Sequence, residues 1–412
     1  MKYGVIGEHL THSFSKEIHA HISDYEYEIC EIESNKLDDF LTKADFCAIN
    51  VTIPYKEKVI PYLHHVSDVA KRIGAVNTVV NKNGQLYGYN TDYMGMRALI
   101  LKNKIDVNGK KALILGTGAT SKTAYAVLED LGAREIVRVG RDISKADTTY
   151  ELLEREHGDA EFILNTTPVG MYPKNGEKII SLQSFPSVMG VIDVVYNPLR
   201  TGLVLDALDM GIKAEGGLYM LSSQAVYASE LFTDSVLGEN VSKRVFNGVL
   251  NEKENIVLIG MPSSGKTTVG RYLAGLTERK FVDTDEEIVK KIGMDIKTYF
   301  KEYGEEAFRD VESEVIKEVS KEGGLIIATG GGAILRSQNV RDLKQNGRIY
   351  FINRSLEMLT PTDDRPLSSD FSELEKRYKE RYPIYCSVAD VTVPSNGAVK
   401  QIAEIIKGEF YR

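Results

Sequence analysis

Residues 260–267 read Gly-Met-Pro-Ser-Ser-Gly-Lys-Thr, a complete phosphate-binding loop in the middle of a 412-residue chain. An apolar run at 256–259 precedes it and a helical pattern at 267–276 follows. A strand, this loop and a helix are the context in which such a loop works. Backbone N–H groups of Gly260, Ser263, Ser264, Gly265, Lys266, Thr267 and Thr268 are placed to cradle the phosphates of a nucleotide. Lys266 carries positive charge to them, and the Thr267 hydroxyl is a ligand for Mg²⁺. A nucleotide-binding domain therefore opens near residue 252, and the roughly 250 residues before it are too many for a tail. Two enzymes, or an enzyme and a regulator, are expected on one chain.

Composition narrows the classes. With 42% apolar and 27% charged residues the chain reads as globular. A net charge of −8, with no basic run or basic–aromatic patch, speaks against nucleic acid as a partner. Cys30, Cys47 and Cys386 are scattered and lack metal-ligand spacing, so neither a disulfide frame nor a zinc site is expected. No signal peptide or membrane-length apolar run is seen, which predicts a cytoplasmic protein without a membrane partner. A homo-oligomer is compatible with all of this. All seven histidines precede residue 158, so the nucleotide domain does not rely on histidine acid–base chemistry.

The first half alternates short apolar runs with helical patterns, at 3–6, 25–32, 46–51 and 76–80, the rhythm of α/β units. A second block opens with a strand at 110–115, the turn Gly116-Thr-Gly118-Ala119-Thr-Ser121 and a helix at 122–131. Strands at 135–139, 162–165 and 190–195 follow, in the order of a dinucleotide-binding unit. The helix N-terminus offers unpaired N–H groups to a pyrophosphate, although Ser121 stands where the fingerprint has its third Gly. Arg141 ends the second strand, where NAD-binding units place an acid. An Arg there favours the 2′-phosphate of NADP, with Asp142 unhelpful and Lys145 able to compensate. A helix at 218–237 is expected to pack back on the first lobe.

Several spaced motifs carry a resemblance. His12-Ser13-Phe14-Ser15, Asn50-Val51-Thr52-Ile53-Pro54-Tyr55-Lys56, Gly74-Ala75-Val76-Asn77-Thr78, Asn90-Thr91-Asp92, Asn165-Thr-Thr-Pro168-Val-Gly170-Met171, Asp193-Val-Val-Tyr196 and Gln224-Ala225 occur in this order. Over nearly all of residues 1–248 the chain resembles shikimate dehydrogenases. The resemblance implies that Ser13 and Ser15 hold the shikimate carboxylate, although a Ser-x-Ser pair taken alone is a common helix cap. It also implies that Thr52, Asn77, Tyr196 and Gln224 line the substrate pocket and that Met171 lies on the nicotinamide side. Lys56 is the candidate general acid for reduction of the 3-keto group and Asp92 its partner; without the surrounding motifs the two would read as a surface salt bridge. Lys16 departs from the family, which usually has Pro there.

The second half carries Phe281-Val-Asp283-Thr-Asp285, Phe308-Arg309-Asp-Val-Glu312, Ala328-Thr-Gly330-Gly331-Gly332, Asp364-Arg365-Pro366 and Glu380-Arg381-Tyr-Pro-Ile-Tyr385. This set resembles shikimate kinases over residues 254–412. Chemistry and resemblance together imply that Asp283 supports Mg²⁺ with Thr267 and that Asp285 accepts the proton of the attacking hydroxyl. Arg309 and Arg381 would grip the carboxylate, since a guanidinium fork matches one bidentately. Gly331 and Gly332 would let the backbone approach the substrate, and Arg365 resembles the lid arginine. The stretch between Phe351 and Arg365 looks short and lacks the extra Arg that the family often places before its lid to contact the adenine, so a weaker or more mobile lid is expected.

The expected architecture is α/β throughout. Residues 1–250 are read as a dehydrogenase-like part, with a substrate lobe (1–100 and 218–250) and a Rossmann NADP-binding lobe (101–217). A charged hinge at 251–255 and a P-loop, NMP-kinase-like domain with a parallel sheet at 256–412 follow. The expected cofactors are NADP(H), ATP and Mg²⁺, and the substrates small molecules: 3-dehydroshikimate reduced to shikimate, then shikimate phosphorylated. Rivals are a quinate/shikimate dehydrogenase fused to a kinase of another polyol, and a metabolite-binding regulator that no longer turns over.

Overall fold

In the computed structural model, residues 1–8, 10, 14–359 and 371–411 are described. The chain divides into two compact units, Met1–Leu250 and Asn251–Arg412. Among the described residues no helix is long and apolar enough to cross a membrane.

The first unit holds two sheets, each of six strands among the described residues. One runs in the order Tyr27–Glu31, Tyr3–Gly7, Ala48–Val51, Thr78–Lys82, Gln85–Tyr89, His65–Val66. It is mixed: the first three strands are parallel, and Thr78–Lys82 is antiparallel to both its neighbours. The other runs Lys213–Glu215, Gly190–Asp193, Phe162–Asn165, Lys111–Leu115, Glu135–Gly140, Thr148–Thr149 and is parallel throughout. Its central strands read as unbroken apolar runs because helices cover both faces; Leu113, Ile114, Ile163, Leu164, Val191 and Ile192 are wholly buried.

The helix Leu218–Thr233 returns to pack along Thr91–Lys102. Gly95 lets them close: a Cβ there would lie 2.5 Å from the Met220 carbonyl oxygen and 3.0 Å from Gln224 Cβ. That approach carries Gln224 to the substrate lobe.

The second unit is a parallel five-stranded sheet, among the described residues, in the order Phe281–Asp283, Ile326–Ala328, Asn255–Ile259, Gly347–Asn353, Val391–Pro394. The central position of Asn255–Ile259 puts the phosphate loop at the carboxyl edge of the sheet, where open α/β folds bind ligands.

The charged stretch read as a hinge, 251–255, is ordered: 251–253 end the helix Glu239–Lys253 and Asn255 opens the central strand. Side-chain bonding explains the order. Asn255 donates to Glu322 O (2.8 Å) and accepts from Leu325 N (2.7 Å), and the buried Glu254 takes the Arg348 guanidinium at 2.9 Å.

Candidate functional sites

Lys56 stands at the end of a tight turn after the strand Ala48–Val51. Tyr55 N donates to Thr52 O, Thr52 N to Ile6 O, and Val76 N to Lys56 O, while the Tyr55 side chain is fully buried. The main chain is thus fixed while the ammonium is free to reach inward, where Nζ lies 2.6 Å from Asp92 Oδ2. Asp92 sits in the first turn of Thr91–Lys102, a helix capped by Asn90, whose side chain accepts from Tyr93 N at 3.1 Å. Both side chains are about five-sixths buried, at 16% and 15% exposure, so the pair is not the surface salt bridge its residues alone would suggest.

Beside the pair lies a buried polar network. Asn77 Oδ1 accepts from Thr91 N (2.7 Å), Asn77 Nδ2 donates to Thr91 Oγ1 (3.0 Å), and Thr91 Oγ1 donates to Gln224 Oε1 (3.3 Å). Tyr196 packs on Phe14 with ring centroids 5.2 Å apart, and burial raises its hydroxyl pKa. Ser15 opens the short helix Ser15–Ala20 but does not cap it: Phe14 holds the cap position, without a side-chain cap bond. Ser13 lies outside the described residues.

A cleft of about 1160 Å³ runs from Lys56 along Gly116, Gly118, Ala119, Arg141 and Met171. Gly118 occupies the cap position of Ala119–Asp130 without a side-chain cap bond, and nothing lies within 4 Å of a Cβ built there. An uncapped helix start facing a cleft suits a diphosphate. Ser121 explains its own departure from the fingerprint: it is buried, and its hydroxyl donates to Gly118 O at 2.7 Å, closing the turn from inside. Asp142, the acid that seemed unhelpful to a phosphate, accepts from Ser144 Oγ (2.7 Å) and Ser144 N (3.0 Å). Arg138 is held by Asp147. Arg141 is exposed on the cleft wall, and Met171, 44% exposed, is not a core residue.

In the second unit Gly265, at φ +93°, takes the cap position of Lys266–Thr277 without a side-chain cap bond. Lys266 is buried, with Nζ donating to Gly260 O and Met261 O at 2.9 Å each. Ser264 Oγ is buried and, among the described residues, has no hydrogen-bond partner, an unmet polar atom that a phosphate oxygen would satisfy. Thr267 Oγ1 donates to Asp283 Oδ2 at 2.7 Å, and Asp283 Oδ1 accepts from Asp285 N at 3.0 Å. A hydroxyl and a carboxylate at the phosphate end are hard oxygen donors of the kind Mg²⁺ takes. Thr268 is exposed on the same turn.

Arg309 is buried, its guanidinium bonded to Glu312 Oε2 (2.6 Å) and Glu305 Oε1 (3.1 Å). Arg381 and Tyr385 both donate to Gly331 O, at 3.1 and 2.6 Å. The glycine pair has a reason beyond ligand approach. A Cβ at Gly332 would lie 2.3 Å from Arg309 Nη1, and one at Gly331 would lie 2.8 Å from Pro262 Cδ. The chain's own guanidinium and loop proline occupy that space. At Gly330 a Cβ would meet Asp285 Oδ1 at 2.7 Å and Glu312 Oε1 at 2.9 Å, so both carboxylates converge on this loop. Arg365, with residues 360–364 of the stretch read as a short lid, lies outside the described residues.

Three residues were given no role from the sequence. Thr91 links Asn77 to Gln224, and Tyr385 shares the Gly331 carbonyl with Arg381. Arg354, just past the strand Gly347–Asn353, reaches Ser263 O of the phosphate loop at 3.4 Å. Thr91 and Tyr385 sit inside quoted motifs; the i,i+3 spacing of Arg309 and Glu312 reads by itself as a surface pair, whereas both are buried and Glu312 fixes Arg309.

Comparison with known proteins gives the families of the two parts. The family described as shikimate dehydrogenase substrate binding domain matches residues 5–79, and the shikimate kinase family matches residues 262–409. Shikimate dehydrogenase (NADP(+)) of Clostridium beijerinckii is 35% identical over 267 residues, 61% of this chain and 98% of that one. The crystal structure of shikimate dehydrogenase 1 from Peptoclostridium difficile is similar at 38% identity and TM-score 0.55, over 60% of this chain and 98% of that one. Shikimate 5-dehydrogenase from Thermus thermophilus in complex with NADP(H) and shikimate is similar at 28% identity and TM-score 0.54, over 60% and 99%. The chain belongs to the shikimate dehydrogenase family and carries, behind that part, a shikimate kinase domain.

Proposed function

We propose that this bifunctional shikimate-pathway enzyme reduces 3-dehydroshikimate to shikimate with NADPH and then phosphorylates the shikimate 3-hydroxyl with ATP and Mg²⁺, giving shikimate 3-phosphate. The observation that carries the reading is the part-buried Lys56–Asp92 pair, whose Lys56 lines a cleft with an uncapped nucleotide turn, on a chain that also holds a complete phosphate loop. When bound, NADPH supplies the hydride, ATP the phosphoryl group, and Mg²⁺ charge neutralisation for that group.

The chain's own residues do the rest. Lys56 gives a proton to the ketone oxygen as it becomes a hydroxyl, and Asp92 keeps the ammonium aimed. Asn77, Thr91 and Gln224 present a fixed donor–acceptor array for the other ring hydroxyls. Arg141 fits the 2′-phosphate that separates NADP from NAD, in keeping with the cofactor in the names of the relatives. In the second unit Asp285 takes the proton of the 3-hydroxyl, while Arg309 and Arg381 hold the carboxylate. Thr267 and Asp283 are the residues that would hold Mg²⁺, and Lys266 balances charge at the transferring group. Free thiols at Cys30, Cys47 and Cys386 fit a reducing, cytoplasmic setting.

One incubation of the purified chain with 3-dehydroshikimate, NADPH, ATP and Mg²⁺, read by mass spectrometry, tests the whole reading. Shikimate 3-phosphate as end product supports it. Accumulation of shikimate would leave the dehydrogenase and remove the proposed kinase step. Folded protein with no conversion would turn the reading to a regulator.

A further inference from the structure

The wall of the cleft at 166–171, which ends in Met171, rests on a buried carboxylate that has no part in the reaction as described so far. Asp193 closes the strand Gly190–Asp193 and is 0% exposed. It receives three hydrogen bonds. Oδ1 accepts from Asn165 Nδ2 and from Val195 N, both at 3.0 Å, and Oδ2 accepts from Thr201 Oγ1 at 2.7 Å. Among the described residues it makes no ion pair.

Asn165 is its register partner on the adjacent strand and passes the constraint on. Its Oδ1 accepts from Thr167 N (3.0 Å) and Thr167 Oγ1 (2.7 Å), and Thr167 Oγ1 accepts from Val169 N (3.2 Å). The amide has one usable orientation, since a flip would set its NH₂ against the Thr167 N–H. A chain of bonds therefore runs from Asp193 through Asn165 and Thr167 to Val169, two residues before Met171. Thr201 touches the same segment from the other side. It caps Gly202–Asp209, and its Cβ lies 3.3 Å from where a side chain on Gly170 would begin.

The choice of a carboxylate has a cost and a logic. Asn165, Val195 and Thr201 all present donors, and only a group that accepts at both oxygens satisfies all three at once. Burying that group without a cation is unfavourable, and burial pushes its pKa up to about 6, against the pull of the three hydrogen bonds. Of the charged side chains on flanking elements, Glu215 is engaged with Lys102 and Asp206 with Lys178. Among the described residues, burial and the three hydrogen bonds account for that pKa, with no charged neighbour.

We propose that Asp193 is a positioning residue for hydride transfer, its carboxylate setting the 166–171 segment against the nicotinamide through Asn165 and Thr167. The proposal rests on the dehydrogenase reading above. Asn at this position offers one acceptor where the carboxylate offers two, so it imitates the protonated acid.

The test is shikimate oxidation with NADP⁺ by the full chain, between pH 5.5 and 9, for wild type, Asp193→Asn and Thr167→Val. Wild type is expected to lose kcat as pH falls through about 6. Asp193→Asn should have kcat lower by about tenfold or more, because small misplacements of reacting groups cost that much, and should lack the acidic limb. KM for shikimate, set in the other lobe, should stay within about twofold, since it reports binding rather than the chemical step. Thr167→Val leaves Asp193 and its three donors in place and should show the same kcat loss at an unchanged melting temperature, which keeps the test open if Asp193→Asn does not fold. Wild-type kcat and pH profile in Thr167→Val would overturn the proposal. So would a defect in Asp193→Asn confined to melting temperature or to KM for shikimate. A wild-type chain that does not turn over would remove the dehydrogenase reading, and the proposal with it.

Discussion

Lys56 and Asp92 are 36 residues apart in sequence and 2.6 Å apart at their charged atoms. The first is held by a turn whose carbonyl binds Val76 N, the second by the start of a capped helix. Neither depends on the other for its place, so the pair is set by the fold rather than by mutual attraction. Lys56→Ala is expected to lower dehydrogenase kcat by about 10²–10⁴, the range for a general acid, and Asp92→Asn by less. Both variants should phosphorylate shikimate at the wild-type rate. A coupled assay on each variant decides it, and a Lys56→Ala chain that still oxidises shikimate normally would remove Lys56 from the chemistry.

Lys266 gives the converse experiment. Its ammonium rests on two carbonyls of its own loop, a preset position from which it meets phosphate without rearrangement. Lys266→Ala should cut phosphorylation by about 10²-fold or more, as for loss of a preorganised charge, and leave dehydrogenation intact. Steady-state assay of both activities on one preparation checks this. Loss of both in a folded protein would contradict two independent sites.

Arg141 is the test of cofactor choice. Arg141 is exposed on the cleft wall, and Asp142 beside it is committed to Ser144. Arg141→Ala should raise KM for NADPH by about tenfold, on the order of one lost charge-assisted bond, with little effect on KM for NADH. Equal changes for the two cofactors would place the 2′-phosphate elsewhere.

The central strands were legible because they are buried on both faces and read as apolar runs, as at 111–115 and 256–259. The phosphate loop was legible because its chemistry allows few sequences. What the sequence hid was connectivity between side chains. Thr91 reads as one residue of a helix start, and only the close packing at Gly95 shows that it joins Asn77 to Gln224. Residues 251–255 read as a hinge because they are charged and polar, yet Asn255 and Glu254 are buried with partners far along the chain, at Leu325 and Arg348. Gly332 was read from ligand approach, whereas the atom nearest to it belongs to Arg309. Long-range pairing of this kind leaves no periodic trace.

Gly332 makes the last point measurable. A methyl group there would lie 2.3–2.5 Å from three atoms of the Arg309 guanidinium, which Glu312 and Glu305 hold from the other side. Gly332→Ala should therefore displace Arg309 and raise kinase KM for shikimate by about tenfold, the loss of one well-aligned guanidinium–carboxylate contact. KM for ATP should be unchanged. An unaltered KM for shikimate would show that Arg309 does not hold the substrate.

His19 carries a prediction about acid stability. The ring is 1% exposed and stacked on Tyr27 at 3.8 Å, with Nδ1 2.6 Å from the Tyr25 hydroxyl. Burial lowers its pKa to about 3 from 6.5. The unfolded chain thus binds a proton below pH 6.5 that the folded chain refuses, and stability falls as pH falls, by about 1.4 kcal/mol per unit. Asp193 has the opposite sign. Its folded pKa of about 6 exceeds the unfolded 3.8, so the folded form gains the extra proton between those values and stability rises as pH falls there. The two slopes oppose each other between pH 6 and 4, and the wild type alone would hide both. His19→Phe keeps the ring stack and removes one slope. Measured by urea titration with hydrogen-exchange readout on the strands Tyr3–Gly7 and Tyr27–Glu31, the free-energy difference between variant and wild type should move in favour of the variant by about 2 kcal/mol from pH 6.5 to 5. A difference that stays constant across that range would mean that His19 takes its proton in the folded state as readily as in the unfolded one.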